Sequence, residues 1–153
     1  MATLTFKTAN AAETENLGRR LAGAVRGLQL VCVRGPLGAG KTTLVRGLLR
    51  GLGYDGPVKS PTFTLVEPYT VDGLTLYHFD LYRINDPEEI EYLGWRDYLR
   101  SDALCVVEWP ERAGALLPSP DLDVMIESSN NHEREVRLRA CTPAGLAGLD
   151  ALR

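Results

Sequence analysis

Lysine, aromatic residues, histidine and long apolar runs are all scarce in this sequence, and each scarcity excludes something. The 17 basic residues include only Lys7, Lys41 and Lys59 as lysines and face 20 acidic ones, giving a net charge of −3. A domain that grips nucleic acid by its phosphates carries a basic excess, so direct DNA binding is excluded and any RNA would be met with a partner protein's help. No apolar run approaches the ~18 residues that a membrane span requires. Met1 to Asn10 has one lysine and no apolar stretch of signal-peptide length, so the expected compartment is the cytoplasm, with no membrane contact. The 3 cysteines, Cys32, Cys105 and Cys141, stand far apart in apolar or alternating runs, which reads as buried inert thiols rather than a disulfide or metal framework. The 2 histidines, His78 and His132, have no nucleophile arranged around them; His78 reads as a strand residue supporting Asp80, and His132 as a turn residue.

What is present is globular: 44% apolar and 24% charged residues over 153 positions, enough to close a hydrophobic core as a single domain, 1–153. Neither an internal repeat nor a low-complexity tract interrupts it. Thr3 to Thr8 reads as a strand. Asn10 with Glu13 forms a capping box, followed by a helix whose Leu17, Leu21, Ala24 and Val25 share one face. The run Leu28 to Val33 is nearly continuous apolar, as a strand covered on both sides must be. A helix starts at Lys41 and stops at Gly53. Phe63 to Thr70 and Leu74 to Phe79 read as an antiparallel hairpin around Asp72-Gly73. Asp86-Pro87-Glu88-Glu89 opens a helix carrying Ile90, Leu93, Trp95, Tyr98 and Leu99. A buried strand at Ala103 to Val107 follows, then strands around Val124 to Ile126 and Val136 to Arg139 separated by Asn130-Asn131, and a short helix from Thr142-Pro143. The pattern predicts an α/β fold of the P-loop NTPase type, three layers α/β/α around a mixed β-sheet.

Gly35-Pro36-Leu37-Gly38-Ala39-Gly40-Lys41-Thr42 satisfies G-x-x-x-x-G-K-[ST] between a buried strand and a helix N-terminus, which is the context the motif requires. With this composition, random order would produce the motif with odds of about 0.003, so a chance glycine turn is a weak alternative. Glycines let backbone N–H groups converge on phosphate oxygens, and the helix dipole adds partial positive charge. Lys41 would reach the β- and γ-phosphates, Thr42 would offer its hydroxyl to Mg²⁺, and Thr43 would stand near the α-phosphate.

Such a site also needs an acid at the end of a neighbouring strand. Glu108 follows Leu104-Cys105-Val106-Val107, the Walker-B pattern with Glu in place of Asp, and Asp80 ends the second hairpin strand on the face it shares with Leu76 and His78. Ser60-Pro61-Thr62-Phe63-Thr64 occupies the place where P-loop switches sense the γ-phosphate, or else is a plain proline turn. Tyr69, Tyr82 and Trp109 read as packing residues, with Trp109 close enough to Glu108 to report on it. A GTPase would need an Asn/Thr-Lys-x-Asp segment, and no lysine here is followed two residues later by Asp. A small-molecule kinase would need an arginine-bearing lid, hard to fit in this length although Arg83, Arg96, Arg100 and Arg112 exist; a nucleotide-sensing scaffold that rarely turns over ATP is the non-enzymatic rival.

Four stretches together resemble the TsaE (YjeE) family, ATPases of bacterial tRNA threonylcarbamoyladenosine synthesis. They are the loop at 35–43, Ser-Pro-Thr-Phe-Thr-Leu-Val-Glu-Pro-Tyr at 60–69, His-Phe-Asp-Leu-Tyr-Arg at 78–83 and Val-Glu-Trp-Pro-Glu at 107–111. The resemblance implies that Gly38, Ala39, Gly40, Lys41, Thr42 and Thr43 hold ATP, that Thr42 and Glu108 serve Mg²⁺, and that Asp80 joins Lys41 and Glu108 in the catalytic site. It makes Ser-Pro-Thr a switch-like segment with Thr62 and Thr64 its active members; in the C-terminal third, where the likeness is looser, Arg134 is the candidate to approach the adenine. Family members often carry Asp where Pro36 stands; that contact is lost here, and the cradle falls to the later amides. The implied partners are TsaD and TsaB, which transfer threonylcarbamoyl to adenosine 37 of tRNAs that read codons beginning with A. ATP hydrolysis then resets that complex between turnovers, and tRNA is met through it.

Overall fold

The computed structural model describes residues 2–129 and 132–153, so the turn expected at Asn130-Asn131 lies outside the described residues. In chain order the elements are β1 (Thr3–Thr8), α1 (Ala11–Val25), β2 (Leu30–Arg34), α2 (Lys41–Leu52), β3 (Val66–Val71), β4 (Leu74–Asp80), α3 (Glu88–Leu93), α4 (Trp95–Arg100), β5 (Leu104–Glu108), a 3₁₀ segment (Pro110–Leu116), β6 (Leu122–Ser128), β7 (Arg134–Ala140) and α5 (Pro143–Asp150). They form one seven-stranded sheet in the order β1-β7-β6-β2-β5-β4-β3. The central β6, β2, β5 and β4 run parallel, while β1, β7 and β3 add antiparallel edges, so the sheet is mixed as expected.

Strand alternation sorts the apolar residues of the central strands into two layers. Val31 and Val33 of β2 and Leu104 and Val106 of β5 face a core built with α1, α2 and α5. Leu30 and Cys32, with Cys105 and Val107, face a second core made with Ile90, Trp95 and Ala113 from α3, α4 and the 3₁₀ segment. Both faces being covered is what a continuous apolar strand such as β5 predicts, and it produces the three-layer α/β/α arrangement. No helix among the described residues is long and apolar enough to cross a membrane.

Local boundaries follow identifiable chemistry. Asn10 caps α1 by accepting from the Glu13 N–H at 2.9 Å, while the Glu13 carboxylate accepts from the Ala9 N–H at 2.8 Å. Asp72 (φ 50°) and Gly73 (φ 79°) give the β3–β4 hairpin its type I′ turn. Two expectations change. β3 starts at Val66 rather than Phe63, because Leu65 takes a left-handed φ of 69° and its N–H donates back to the Pro61 carbonyl at 2.8 Å, closing a turn. The single helix expected from Pro87 to Leu99 is two, broken at Gly94, whose φ of 75° ends α3 before α4 begins.

The α1–α2 contact is backbone against backbone. A Cβ added to Gly47 would lie 2.0 Å from the Glu15 carbonyl oxygen, and one on Gly18 2.3 Å from that of Leu44. Alanine at an open helix position gains about 1 kcal/mol over glycine. Here the collision with an immovable backbone outweighs that gain, and Gly47→Ala is expected to lower stability by about 1–3 kcal/mol, read as a lower denaturant midpoint at unchanged m-value.

Burial pushes the thiols of Cys32 and Cys105 up to about 12, as the inert-thiol reading requires, whereas Cys141 is only half-buried. A thiol reagent at pH 8 is expected to label the native chain rapidly at Cys141 alone and all three cysteines in denaturant.

Candidate functional site

The glycine loop leaves β2 at Gly35 and enters α2 at Gly40. Gly40 is the N-cap of α2, held at φ 103°, where a side chain would be strained, and no side chain caps the helix. The leading N–H groups of α2 and its dipole are therefore directed at the space above the loop. That space is a cleft of about 340 Å³ lined by Leu37, Gly38, Gly40, Lys41, Thr42, Thr43, Ser60, Thr62, Asp80, Tyr82, Glu108 and Trp109. Its size suits a small-molecule ligand.

Three charged side chains of this lining are withdrawn from water: Lys41 and Asp80 are 5% exposed and Glu108 is 2% exposed. The Lys41 ammonium donates to the carbonyls of Gly35 at 2.7 Å and Pro36 at 2.8 Å, and it sits 4.5 Å from the centre of the Trp109 ring. Desolvation holds its pKa below the usual lysine value, partly offset by Glu108, Asp80 and Glu111. Pro36, which has no N–H to give a phosphate, serves the loop through its carbonyl.

Glu108 is the last residue of β5, and β4 runs parallel beside it so that Asp80 is its direct neighbour in register. The Thr42 hydroxyl donates to Glu108 Oε2 at 3.1 Å, joining the foot of the loop to the end of the strand. Asp80 accepts from the Thr62 hydroxyl at 3.2 Å and from the Tyr82 N–H at 3.0 Å. One ammonium against two carboxylates leaves the cleft floor negative, and Thr42 with Glu108 supplies the hard oxygen donors that suit Mg²⁺, which takes one or two protein oxygens and completes its shell from phosphates and water. Among the described residues there is no group of three or more His, Cys, Asp or Glu that would form an all-protein metal cage.

The Ser-Pro-Thr segment reaches the cleft through Ser60 and Thr62, whose hydroxyls lie 2.8 Å apart, whereas Thr64 turns outward and donates to Glu67 at 3.0 Å. A smaller hollow of about 160 Å³ next to the loop is lined by Asn10, Ala11, Thr14, Gly38, Ala39, Gly40, Thr43, His132 and Arg134. Arg134 Nε donates to the Ala39 carbonyl there at 2.9 Å, and Thr43 borders both spaces.

Besides Thr64, which does not enter the cleft, three residues differ from the sequence reading. His78 does not support Asp80: its Nε2 lies 2.5 Å from Oε2 of Glu108, because on parallel strands its side chain reaches across to the acid two positions beyond its own partner, Val106. Trp109 and Tyr82 are more than packing; both line the cleft, with ring centroids 5.0 Å apart, and Arg112 stands over both rings. The sequence signal available for Trp109 is its place directly after the strand-end acid, where a left-handed φ of 57° swings the ring toward Lys41.

The comparisons with known proteins agree with one another. The model of the family described as "Threonylcarbamoyl adenosine biosynthesis protein TsaE" matches residues 8–136. The chain is similar to the tRNA threonylcarbamoyladenosine biosynthesis protein TsaE of Haemophilus influenzae, 50% identical over 116 residues, covering 76% of this chain and 73% of that protein. Its similarity to the Bacillus subtilis protein of the same name is 36% over 140 residues, 92% of this chain and 87% of that one. The crystal structure of Bacillus subtilis YdiB superposes with a TM-score of 0.83 at 30% identity, covering 99% of this chain and 94% of that one. The glycine loop, the two strand-end acids and these likenesses lead to one conclusion: the chain belongs to the TsaE family.

Proposed function

We propose that residues 1–153 form a single P-loop ATPase domain that binds ATP with Mg²⁺ in the cytoplasm and serves tRNA threonylcarbamoyladenosine formation together with TsaD and TsaB homologues. The observation that carries this reading is the Thr42–Glu108 contact at the foot of a glycine loop whose lysine is buried beside two carboxylates. In this reading the N–H groups of Gly38, Ala39, Gly40 and Lys41 receive the phosphates, and the Lys41 ammonium leaves its two loop carbonyls for the β- and γ-oxygens. Thr42 and Glu108 hold Mg²⁺, which supplies neutralisation of the charge that develops on the phosphates. Glu108 and Asp80 orient the attacking water; Thr62, already bonded to Asp80, senses the γ-phosphate and carries its presence to the partner complex. Thr43 lies on the α-phosphate side, and the hollow beside Arg134 receives the nucleoside end. Threonylcarbamoyl transfer belongs to the partners, and tRNA is engaged through them.

The test is reconstitution of tRNA modification with TsaD and TsaB homologues, substrate tRNA and this chain. Multiple rounds of modification that require ATP and this chain support the reading; equal support by GTP alone, or turnover undiminished when the chain is omitted, overturns it. A simpler readout uses Trp109, since the second tryptophan, Trp95, is buried and is not among the residues that line the cleft. Adding Mg–ATP is expected to change tryptophan emission as Lys41 leaves the ring, and Trp109→Phe is expected to abolish that change.

A further inference from the structure

Glu108 is gripped from inside the sheet as well as from the loop. His78 is completely enclosed in the core, and among the described residues the only polar contact of its side chain is the one from Nε2 to Glu108 Oε2, the same oxygen that accepts from Thr42. No partner for His78 Nδ1 exists among the described residues. Burying an imidazole with one nitrogen unpaired is costly, and an apolar side chain would fill the same space without that cost. A packing role therefore does not account for histidine here. Since the partner of Nε2 among the described residues is a carboxylate oxygen, the hydrogen-bond network assigns a proton to Nε2.

We propose that His78 is a positioning residue that fixes the Glu108 carboxylate in one orientation for Mg²⁺ and water. Oε2 is saturated by Nε2–H of His78 and the Thr42 hydroxyl, while Oε1 has only a longer contact of 3.4 Å with Thr42 and stays available to ligands of the cleft. The same logic holds for metal-site ligands in general, whose partners behind them set their orientation and are worth a factor of ten or more in affinity. A carboxylate freed of His78 could turn about its terminal torsion, which is broad and lightly restrained. The inference rests on the Mg–ATP reading above.

Two measurements on the full chain test it. The first is ¹⁵N NMR of the wild-type imidazoles: a protonated Nε2 on His78 supports the assignment, and a bare Nε2 with the proton on Nδ1 overturns it, with no variant required. The second is titration of Mg²⁺ against the chain saturated with a fluorescent, non-hydrolysable ATP analogue, the affinity in EDTA serving as each variant's baseline. His78→Leu is expected to weaken the Mg²⁺-dependent gain in affinity by about 10–100-fold, and His78→Gln, whose amide N–H reaches the place of Nε2, to restore most of it. If folded His78→Leu keeps the wild-type Mg²⁺ response, or folded His78→Gln loses as much as His78→Leu, the positioning role is wrong. If the wild-type chain itself shows no Mg²⁺-dependent affinity, the ATPase reading fails instead.

Discussion

Glu108→Gln is expected to reduce ATP turnover by about 10²–10⁴-fold while leaving the chain folded and able to bind nucleotide. Glutamine keeps the volume and one oxygen that can accept from Thr42 and His78, so the end of β5 stays in place. What disappears is the negative charge that would hold Mg²⁺ and polarise a water. The same change removes the cost of keeping a desolvated carboxylate buried at the end of β5. Its melting temperature is therefore expected to match or exceed wild type, the usual sign of a residue retained for activity at the expense of stability. Phosphate release in the reconstituted complex, with melting followed in parallel, reads both effects; wild-type turnover in this variant would remove Glu108 from the proposed machinery.

Lys41→Met is expected to weaken ATP binding by about 10–100-fold, since a hydrogen bond to a charged group contributes about 1.5–3 kcal/mol and each 1.4 kcal/mol is a factor of ten. Its effect on the empty fold is the sum of opposed terms. The carbonyls of Gly35 and Pro36 lose their donor, which costs about 1–3 kcal/mol where they are buried, but a desolvated ammonium is also removed. Calorimetric titration with ATP and Mg²⁺ therefore separates the two roles better than a melting curve does. An affinity equal to wild type would mean that Lys41 serves the loop alone.

The parts legible in the sequence are those whose chemistry is contiguous. The loop at 35–43 carries its glycines, lysine and threonine in one stretch, and β5 announces Glu108 by four apolar residues in a row. β1, α1, α2 and α5 are recognisable from caps and periodicity because Asn10, Gly53 and Thr142 end or start helices by local hydrogen bonds. What escaped depends on tertiary pairing or on unusual backbone. The left-handed Leu65 and the break at Gly94 shift boundaries inside runs that looked continuous. Nearness in sequence pairs His78 with Asp80, whereas in the fold it meets Glu108 across two strands, a register that periodicity within one strand does not contain. Thr62 and Thr64 looked equivalent, and only the turn closed at Leu65 separates the one that meets Asp80 from the one that faces Glu67.

The glycine contact between α1 and α2 makes the molecule lopsided in a mechanical sense. With Gly18 pressed on Leu44, Gly47 on Glu15 and Gly51 on Arg19, neither helix can slide or rotate against the other without collision. The flank of the phosphate loop that borders them is a fixed jaw. The opposite flank is held by the Thr62 hydroxyl and the Tyr82 N–H, both donating to the Asp80 carboxylate, by the backbone bonds from Asp80 N–H to the Leu65 carbonyl and from Leu81 N–H to the Glu108 carbonyl, and by the exposed stack of Arg83 on Phe63. The flank that is not locked by close helix packing is therefore the one formed by the Ser60–Leu65 segment and the turn after β4, which in the proposed cycle is where a γ-phosphate would act.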